Sequence, residues 1–312
     1  MRIAVTGGKG GTGKSTVATS IAFEMAKVHR TLLVDCDVEC PDDHLLLSIT
    51  REKVKDVETF LPSFDQETCQ KCGICSQTCR QNAVVFVTGE YPFLIPEQCN
   101  GCGACMLACP WGSITEDSQV IGTIYQGHLE VQESLGLEGV TQGLVNNFLL
   151  ISGEVAVGCE ASTLVVNATR EYASQLEDDY LFTVIDTAAG THCDVISALM
   201  DTNLVLAVSE PTPLGKHDLE LILELLEKMG LDAKIIINRA DLGSLDLIKT
   251  LADEKGVMIT LEIPYKKEIL ENYSRGVPAL EGLVSDLVTD LVEEALQDDL
   301  VTVEDEMKEE DP

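Results

Sequence analysis

The sequence predicts an α/β fold, in which a mostly parallel sheet carries helices on both faces and is interrupted by a small cysteine-rich insert. Short apolar runs of Val, Ile and Leu alternate with segments of helical periodicity, which is typical of parallel sheets covered on both faces. Between residues 60 and 117 this alternation stops, and eight of the twelve cysteines lie in that stretch. These two observations set the fold class.

The elements are predicted in chain order. Residues 2–8 form a buried strand that ends in glycines, residues 14–28 form a helix, and residues 31–37 form a second buried strand. Further strands are predicted at 181–190, 203–211, 233–241 and 256–264, with a helix at 215–230. We therefore expect an α/β domain in two parts, residues 1–59 and 118–300. The insert at residues 60–117 separates them, and an acidic tail follows at residues 301–312.

Charge and composition limit the functions to be considered. The chain has 53 acidic and 21 basic residues, a net charge of −32, which repels nucleic acids and anionic lipids. No apolar run approaches the length of a membrane-spanning helix, and no signal peptide is recognisable at the start. We expect a cytoplasmic protein without membrane insertion or a nucleic-acid partner, whose cysteines bind metal and do not form disulfides.

The eight clustered cysteines form an internal repeat. CQKCGICSQTC begins at Cys69 and CNGCGACMLAC begins at Cys99, thirty residues later. The spacing resembles that of bacterial ferredoxins with two clusters, in which the fourth cysteine of each motif binds the other cluster. The resemblance implies two [4Fe–4S] sites. One would have the ligands Cys69, Cys72, Cys75 and Cys109, and the other Cys99, Cys102, Cys105 and Cys79.

Zinc is the alternative metal, although it usually takes two C-x2-C pairs and not two triplets with a trailing cysteine. Pro110 follows Cys109, whereas Arg80 follows Cys79, and the missing proline predicts a looser turn behind Cys79.

The sequence GKGGTGKS, from Gly8 to Ser15, matches the phosphate-binding loop G-x-x-x-x-G-K-[ST] between a predicted strand and a predicted helix. Backbone N–H groups of such a loop surround phosphates at a helix N-terminus. Lys14 would reach the β- and γ-phosphates, and Ser15 would bind Mg²⁺. The nucleotide-binding residues predicted here are Gly8, Lys9, Gly10, Gly11, Thr12, Gly13, Lys14, Ser15 and Thr16.

The second lysine of this loop, Lys9, resembles the signature lysine of the deviant Walker A ATPases, the MinD, ParA, Mrp and nitrogenase iron protein group. That resemblance implies a dimer in which Lys9 reaches the partner's phosphates; without it, Lys9 is a solvated loop cation. DCDVECPDDHL (35–45) is similar to the first switch of the group and DTAAG (186–190) to the second. Asp37 would then position water or the Mg²⁺ shell, and Asp186 would be the Walker B carboxylate.

INRAD (237–241) is similar to the base-recognition segment of the group, with Asn238 facing the purine. Asp241 also suits guanine, so the residues leave ATP and GTP open, and only the family favours ATP. Within this group, the chain resembles the MinD-type ATPases that carry an inserted ferredoxin domain between the first switch and the second. The implied cofactors are ATP or ADP with Mg²⁺ and two [4Fe–4S] clusters per chain.

Two isolated cysteines, Cys159 and Cys193, resemble the pair with which each subunit of the nitrogenase iron protein holds a [4Fe–4S] cluster across its dimer axis. Cys159 follows VAVG, and Cys193 lies seven residues after Asp186. The alternative is that both are buried small apolar residues. Cys36 is expected in the core and Cys40 in an exposed loop, neither as a ligand.

Three classes of function follow. The first is an ATP-dependent electron-transfer protein, a nucleotide-switched homodimer or heterodimer with a related ATPase that serves a redox partner or a metalloprotein. The second is an ATP-dependent scaffold or insertion factor for metal clusters. The third, a spatial organiser, is disfavoured because it would need a basic tail or basic patch, and the C-terminal segment is acidic.

Overall fold

A computed structural model of the chain describes residues 1–130 and 142–309. The strands are β1 (Arg2–Thr6), β2 (Thr31–Cys36), β3 (Arg51–Phe64), β4 (Val84–Val85), β5 (Phe93–Leu94), β6 (Ile114–Gly127), β7 (Phe148–Val155), β8 (Phe182–Thr187), β9 (Leu204–Ser209), β10 (Ala233–Asn238) and β11 (Met258–Ile263). The α-helices are α1 (Lys14–Ala26), α2 (Asp43–Leu46), α3 (Ile74–Thr78), α4 (Ala104–Ala108), α5 (Gln142–Asn147), α6 (Ser162–Ser174), α7 (Cys193–Leu199), α8 (Pro213–Met229), α9 (Leu245–Lys255), α10 (Lys267–Arg275) and α11 (Ser285–Glu309).

Within the described residues, one sheet contains nine strands in the order β11-β10-β9-β1-β8-β2-β7-β6-β3. The strands from β11 to β7 are all parallel to their neighbours. Strand β6 is antiparallel to β7, and β3 is antiparallel to β6. The predicted fold class, a mostly parallel sheet with helices on both faces, is confirmed.

Alternating side chains of the central strands enter two separate cores. Ile3 and Val5 pack in one core with Phe23 of α1 and Leu287 of α11. Ala4, between them, packs in the other core, which receives buried side chains of α6, α7, α8 and α9. Because both faces are covered, strands such as β2 and β8 are buried at every position, which explains why each has apolar residues facing both cores.

Helix α8 illustrates how local sequence fixes the helical layer. Its N-cap Thr212 accepts a hydrogen bond from the backbone N–H of Gly215 at 3.0 Å, and Pro213 occupies the first turn. Gly230 ends the helix in the left-handed conformation, with φ of 69°. Between these caps one face is buried against the sheet through Leu219, Ile222, Leu223 and Leu226.

Strands β3 and β6 carry the cysteine segment. Each has 14 residues, about 46 Å of extended chain, and they pair from Arg51 opposite Gly127 to Phe64 opposite Ile114. Only residues 122–127 of β6 also pair with β7, so the rest of this two-stranded arm extends beyond the sheet. Residues 65–113, with all eight clustered cysteines, connect its two strands at the far end. We call them the cysteine module.

The two halves of the cysteine module have the same backbone course. Helices α3 and α4 begin thirty residues apart, each after a left-handed glycine, Gly73 and Gly103. Other positive φ angles recur at the same offset, in the pairs Lys71 with Gly101 and Asn82 with Gly112. The sequence repeat is therefore a structural repeat.

The C-terminal part of the chain forms α11, which continues to Glu309, and residues 310–312 of the predicted acidic tail lie outside the described residues. Among the helices of the described residues, none combines the length and the apolar character that crossing a bilayer requires.

Candidate functional site: a phosphate-binding loop and an adjacent cysteine module

The glycine loop connects β1 to α1 at the carboxyl end of the parallel strands, as predicted from its flanking sequence. It borders a cavity of about 390 Å³, which falls within the range of small-molecule sites. The loop residues that line the cavity are Gly10, Gly11, Gly13, Lys14, Ser15 and Thr16. Thr12 is buried beneath them, and Gly8 packs against Asp218 of α8.

Asn238 lies at the end of β10 and supports this loop from the side. Its Nδ2 donates a hydrogen bond to the carbonyl of Thr12 at 2.8 Å, while its Oδ1 accepts one from the backbone N–H of Arg239 at 2.9 Å. Gly13, with φ of 96°, passes so close that an added Cβ would lie 2.4 Å from Nδ2 of Asn238. Asn238 lines the cavity as expected, and it also holds the loop.

Acidic side chains surround Ser15 and the buried Lys14. Burial raises the pKa of Asp37, against the opposing effect of Lys14. Burial likewise raises the pKa of Asp42, against a hydrogen bond with Ser15 and the charge of Lys14. For Asp186, burial raises the pKa to about 7, again opposed by Ser15 and Lys14. Sequence reasoning predicted Asp37 and Asp186, and it missed Asp42.

Three carboxylates form a fully buried group beneath this site. One oxygen each of Asp35, Asp43 and Asp186 lie within 4.8 Å of one another. Asp35 accepts hydrogen bonds from the backbone N–H groups of Asp37 and Asp43, at 3.2 and 3.4 Å. Both oxygens of Asp43 are without a hydrogen-bond partner among the described residues. Burial is the main cause that raises the pKa of Asp35 and of Asp43, and repulsion from neighbouring carboxylates raises both pKa values further.

The remaining wall of the cavity includes the segment after β11 and helix α10, which the sequence did not indicate, and Arg239 of the predicted base-recognition segment. Tyr265 and Lys266 follow β11, Tyr273 lies on α10, and Arg239 follows Asn238. The backbone N–H of Tyr265 donates a hydrogen bond to Asp241 at 2.6 Å, so this carboxylate is already engaged within the protein. Lys9 leaves the loop toward Glu210.

Four of the clustered cysteines border one small cavity of the cysteine module: Cys69, Cys72, Cys75 and Cys109. The other lining residues include Phe64, Ile74, Trp111 and Ile114. Cys109 belongs to the second repeat, so the cavity brings together the set that the ferredoxin resemblance implies. Burial acts to raise the pKa of the Cys109 thiol, but hydrogen bonds from Ser113, Trp111 and Gly112 lower it below its ordinary value.

In the other set, Cys105 is buried near Cys99 and Cys102, and Cys79 packs against the same small core. The looser turn expected behind Cys79 is not found. The N–H of Asn82 donates to the carbonyl of Cys79 at 3.2 Å, as that of Gly112 donates to Cys109 at 3.3 Å. Asn82 adopts the left-handed conformation that glycine has in the other half, which closes the turn without a proline.

The isolated cysteines lie on the neighbouring, mutually packed helices α6 and α7 or just before them. Cys159 is half-buried in the turn before α6, and Cys193 is exposed at the first residue of α7. Cys159 lines one cleft with Cys40 and another with Cys99 of the cysteine module. Cys36 is buried in the core, where burial raises its thiol pKa, and Cys40 is exposed.

A left-handed glycine loop at the end of β1, a buried lysine and carboxylates around a serine together define a P-loop nucleotide-binding site. The chain belongs to the CobQ/CobB/MinD/ParA nucleotide binding domain family (CbiA), whose profile matches residues 3–279. It is a P-loop ATPase of the MinD/ParA kind.

Relatives support the assignment to this family. The uncharacterized protein MJ0579 of Methanocaldococcus jannaschii is 32% identical over 281 residues, covering 88% of this chain and 90% of its own. MinD of Pyrococcus horikoshii, solved with Mg-ADP, has a TM-score of 0.52 at 19% identity and 94% coverage of each chain. MinD of Aquifex aeolicus in complex with MinC has a TM-score of 0.53 at 17% identity, covering 94% of this chain and 96% of that one. These two structures share the fold.

Proposed function

We propose that the protein is an ATP-dependent iron–sulfur electron-transfer protein. In this proposal a nucleotide-switched dimer passes electrons from two [4Fe–4S] clusters of the cysteine module to a redox partner. The observation that carries it is the convergence of Cys69, Cys72, Cys75 and Cys109 on one cavity, in a chain that also has a nucleotide site. An ATPase that only organises other molecules has no use for eight cysteines in this arrangement.

The cysteine module fits the clusters by the chemistry of its donors. Thiolates are the ligands of [4Fe–4S] clusters, and three closely spaced cysteines with a remote fourth are the usual set. Apolar side chains surround the sulfur atoms, and backbone N–H groups donate to Cys109. Such hydrogen bonds and burial adjust the reduction potential of a cluster. A bound cluster supplies one-electron transfer at each site.

The nucleotide site fits ATP with Mg²⁺. The loop N–H groups from Gly10 to Lys14 would bind the phosphates, with Lys14 close to the β- and γ-phosphates. Ser15 would bind Mg²⁺, and Asp42 and Asp186, both beside it, would hold the water molecules of the ion. Asp37 borders the same cavity, where it would orient the attacking water. A cation here would also compensate the charge of the three buried carboxylates.

A dimer is part of the proposal. Lys9 does not line its own cavity and pairs with Glu210 instead, which supports a role in which it reaches the phosphates of a second chain once that contact is released. Across the dimer, Cys159 and Cys193 would share a third cluster, with two thiolates from each chain. The resemblance to the nitrogenase iron protein, together with the packing of α6 on α7, supports this assignment.

One observation favours the alternative function, an ATP-dependent scaffold or insertion factor for metal clusters. Cys193 is exposed, and a cluster held by an exposed ligand is open to an acceptor protein. Transfer of iron from Cys159 and Cys193 to an apo-protein, with the cysteine module still loaded, would select this alternative.

Iron and acid-labile sulfide, measured per chain on anaerobically purified protein, test the proposal. Two cubane clusters give about eight irons per chain, and a cluster shared by a dimer adds about two. We expect about ten in the wild type and about eight in Cys159→Ala/Cys193→Ala. Values near eight in both proteins would exclude the bridging cluster. Values near zero in fully folded wild-type protein would refute the electron-transfer function.

Paired single substitutions test the ligand sets. Cys72→Ala and Cys109→Ala are expected to remove the same signal from the electron paramagnetic resonance spectrum of the reduced protein, and Cys79→Ala the other. If Cys109→Ala and Cys79→Ala removed the same signal, the ligand assignment would be wrong. Cys109 would then not be the fourth ligand of the cluster that Cys69, Cys72 and Cys75 hold.

A further inference from the structure

Residues 156–162 run from the end of β7 to the first residue of α6, and they contact both the nucleotide side of the molecule and a strand that carries the cysteine module. At their start, the backbone N–H of Val155 donates to the carbonyl of Val38, in the loop after β2, at 2.8 Å. The next N–H, of Ala156, donates to the carbonyl of Ile121 on β6 at 2.8 Å. Strand β6 is one of the two strands that carry the cysteine module. We call residues 156–162 the connecting segment.

The connecting segment is fastened to the nucleotide side at its other end as well. The hydroxyl of Ser162 donates a hydrogen bond of 2.6 Å to the carboxylate of Glu39. Glu39 lies in the loop of residues 37–42, in which Asp37, Cys40 and Asp42 border the nucleotide cavity. The N–H of Cys40 donates to the carbonyl of Asp37 at 3.0 Å, so Glu39 sits inside a closed turn. A movement of this loop therefore acts directly on Ser162.

The opposite side of the connecting segment faces one half of the cysteine module. A cleft of about 700 Å³ lies between them, bordered by Cys99 and Asn100 on one side and by Cys159 and Glu160 on the other. By contrast, the residues that border the cavity of Cys69 all belong to the cysteine module or to the adjoining ends of β3 and β6. The Cys99 half is thus the one next to Cys159.

The connecting segment and this half of the module are both firmly placed. Gly158 has a φ of 79°, and the N–H of Cys159 donates to the carbonyl of Ala156 at 3.0 Å, which closes a tight turn. On the module side, Gly101 lies so close to β3 that an added Cβ would be 2.1 Å from the hydroxyl oxygen of Thr59. A shift of one side relative to the other would therefore change the width of the cleft.

We propose that the connecting segment transmits the nucleotide state of residues 37–42 to the cleft between Cys159 and Cys99, and that Ser162 is the positioning residue for this coupling. The inference rests on the proposed function, because it requires a nucleotide to move the loop of residues 37–42. Its consequence is that the Cys99 half of the module exchanges electrons with the Cys159 site, in a geometry set by the nucleotide. The Cys69 half is then the distal half, which faces an external donor or acceptor.

Amide hydrogen exchange on the anaerobically purified protein, loaded with iron, tests the coupling without relying on activity. Exchange in peptides covering residues 10–16, 37–42 and 156–161 is compared between Mg-ADP and Mg with a non-hydrolysable ATP analogue. The variants are Ser162→Ala, which removes the donor, and Ser162→Thr, which keeps a hydroxyl. Ser174→Ala is the matched control, since this serine ends the same helix and its hydroxyl donates only to the carbonyl of Glu171.

In the wild type we expect the exchange of residues 156–161 to differ between the two nucleotides. Ser162→Ala should reduce that difference at least twofold while residues 10–16 respond as before, and Ser162→Thr and Ser174→Ala should behave like the wild type. If Ser162→Ala loses protection throughout the chain, Glu39→Ala, which breaks the same bond from an exposed side chain, takes its place with the same expectation.

Two results would overturn the proposal in different ways. If residues 10–16 respond to nucleotide but residues 156–161 do not, or respond equally in Ser162→Ala, the coupling is refuted and the proposed function stands. If residues 10–16 show no protection by either nucleotide, nucleotide binding itself fails, and the proposed function is refuted together with the coupling.

Discussion

The ammonium group of Lys9 lies 3.5 Å from the carboxylate of Glu210, at the rim of the phosphate-binding loop. Glu210 also pairs with Arg239, and it is only 8% exposed. The lysine that resembles the signature lysine is therefore held within its own protomer in this structure. In the proposed dimer, binding to a partner's phosphates would require that this ion pair open, so Glu210 would compete with dimer formation.

Glu210→Gln is expected to favour the nucleotide-dependent dimer. A partly exposed ion pair of this kind contributes about 1 kcal/mol, and its loss corresponds to about a fivefold change in an equilibrium constant for each protomer. Sedimentation velocity with Mg and a non-hydrolysable ATP analogue should show the dimer at a lower protein concentration than for the wild type. Lys9→Ala should bind nucleotide and stay monomeric. A Glu210→Gln variant that dimerises no better would exclude this competition.

Lys14→Ala is expected to reduce ATP hydrolysis by at least about a hundredfold, because a positive charge at the transferred phosphoryl group is lost. The visible absorption of the proposed iron–sulfur clusters should be unchanged, since β1, which leads to Lys14, is separated by three strands from β6, which carries the cysteine module. Steady-state hydrolysis and an absorption spectrum on the same sample provide the check. Normal hydrolysis in this variant would contradict the assigned phosphate contact.

Gly13→Ala should destabilise the nucleotide-free protein, and Gly10→Ala should not. At residue 13 an alanine has a φ of 96° and meets Asn238 at 2.4 Å, whereas a Cβ at residue 10 has nothing within 4 Å. The left-handed conformation alone costs about 1–2 kcal/mol, which lowers the melting temperature by about 1.5–3 °C in a chain of 312 residues. Thermal denaturation of Gly13→Ala and Gly10→Ala measures the difference. Equal melting temperatures of the two variants would contradict the close contact of residue 13 with Asn238.

The buried carboxylates predict a pH dependence of stability in the absence of magnesium. A carboxyl whose pKa is raised by folding keeps its proton in the native state while the unfolded chain has lost it, so stability falls as pH rises. For Asp186 this window runs from about 4, the ordinary value, to about 7. The melting temperature should thus fall between pH 4.5 and pH 7.5.

Asp43→Asn removes one charge from the group without changing its size, so the decrease in melting temperature across that pH range should be smaller in this variant. Differential scanning fluorimetry with magnesium omitted, at a series of pH values, measures it. A melting temperature that rises with pH in the wild type, or an identical slope in Asp43→Asn, would show that these carboxyls are not protonated on folding.

Gly101→Ala should loosen the cysteine module, and Gly103→Ala should do so much less. Both glycines have similar positive φ angles, 73° and 68°, but only at residue 101 would a Cβ collide, with Thr59. Limited proteolysis on a temperature gradient should cut residues 65–113 of Gly101→Ala at a lower temperature. Adding Thr59→Ala removes the colliding oxygen and should restore part of the resistance, and if it restores none, the contact is not the cause.

The sheet could be predicted from sequence because its central parallel strands are buried on both faces, and the runs of residues 31–37 and 181–190 therefore have apolar residues on both faces. The glycine loop was equally clear, since its glycines and Lys14 are fixed by backbone geometry. By contrast, β7 and the arm of β3 and β6 were not predicted. Strand β3 has charged residues at many exposed positions, which matches neither a buried run nor a strict alternation.

The tertiary contacts around the candidate site were harder to infer from sequence than the phosphate-binding loop itself. Asp43 lies near Asp35 in the chain but meets the distant Asp186. Glu210 pairs with Lys9 and Arg239, so no local pattern indicates these contacts. The same is true of the cleft between Cys99 and Cys159, which depends on how the arm lies beside α6. Local spacing predicted the sets of cysteines; tertiary packing alone decides which half faces the nucleotide domain.

Phe64 and Ile114, where the chain leaves the sheet and returns to it, lie directly opposite each other in the antiparallel pair. An ancestral chain could therefore have gained or lost residues 65–113 in one insertion or deletion, with a short turn in their place and no other strand rearranged. The cysteine module in this architecture is separable from the nucleotide site in evolution, even though the paired strands β3 and β6 join them. The same property makes the arm a place where another small unit can be transplanted.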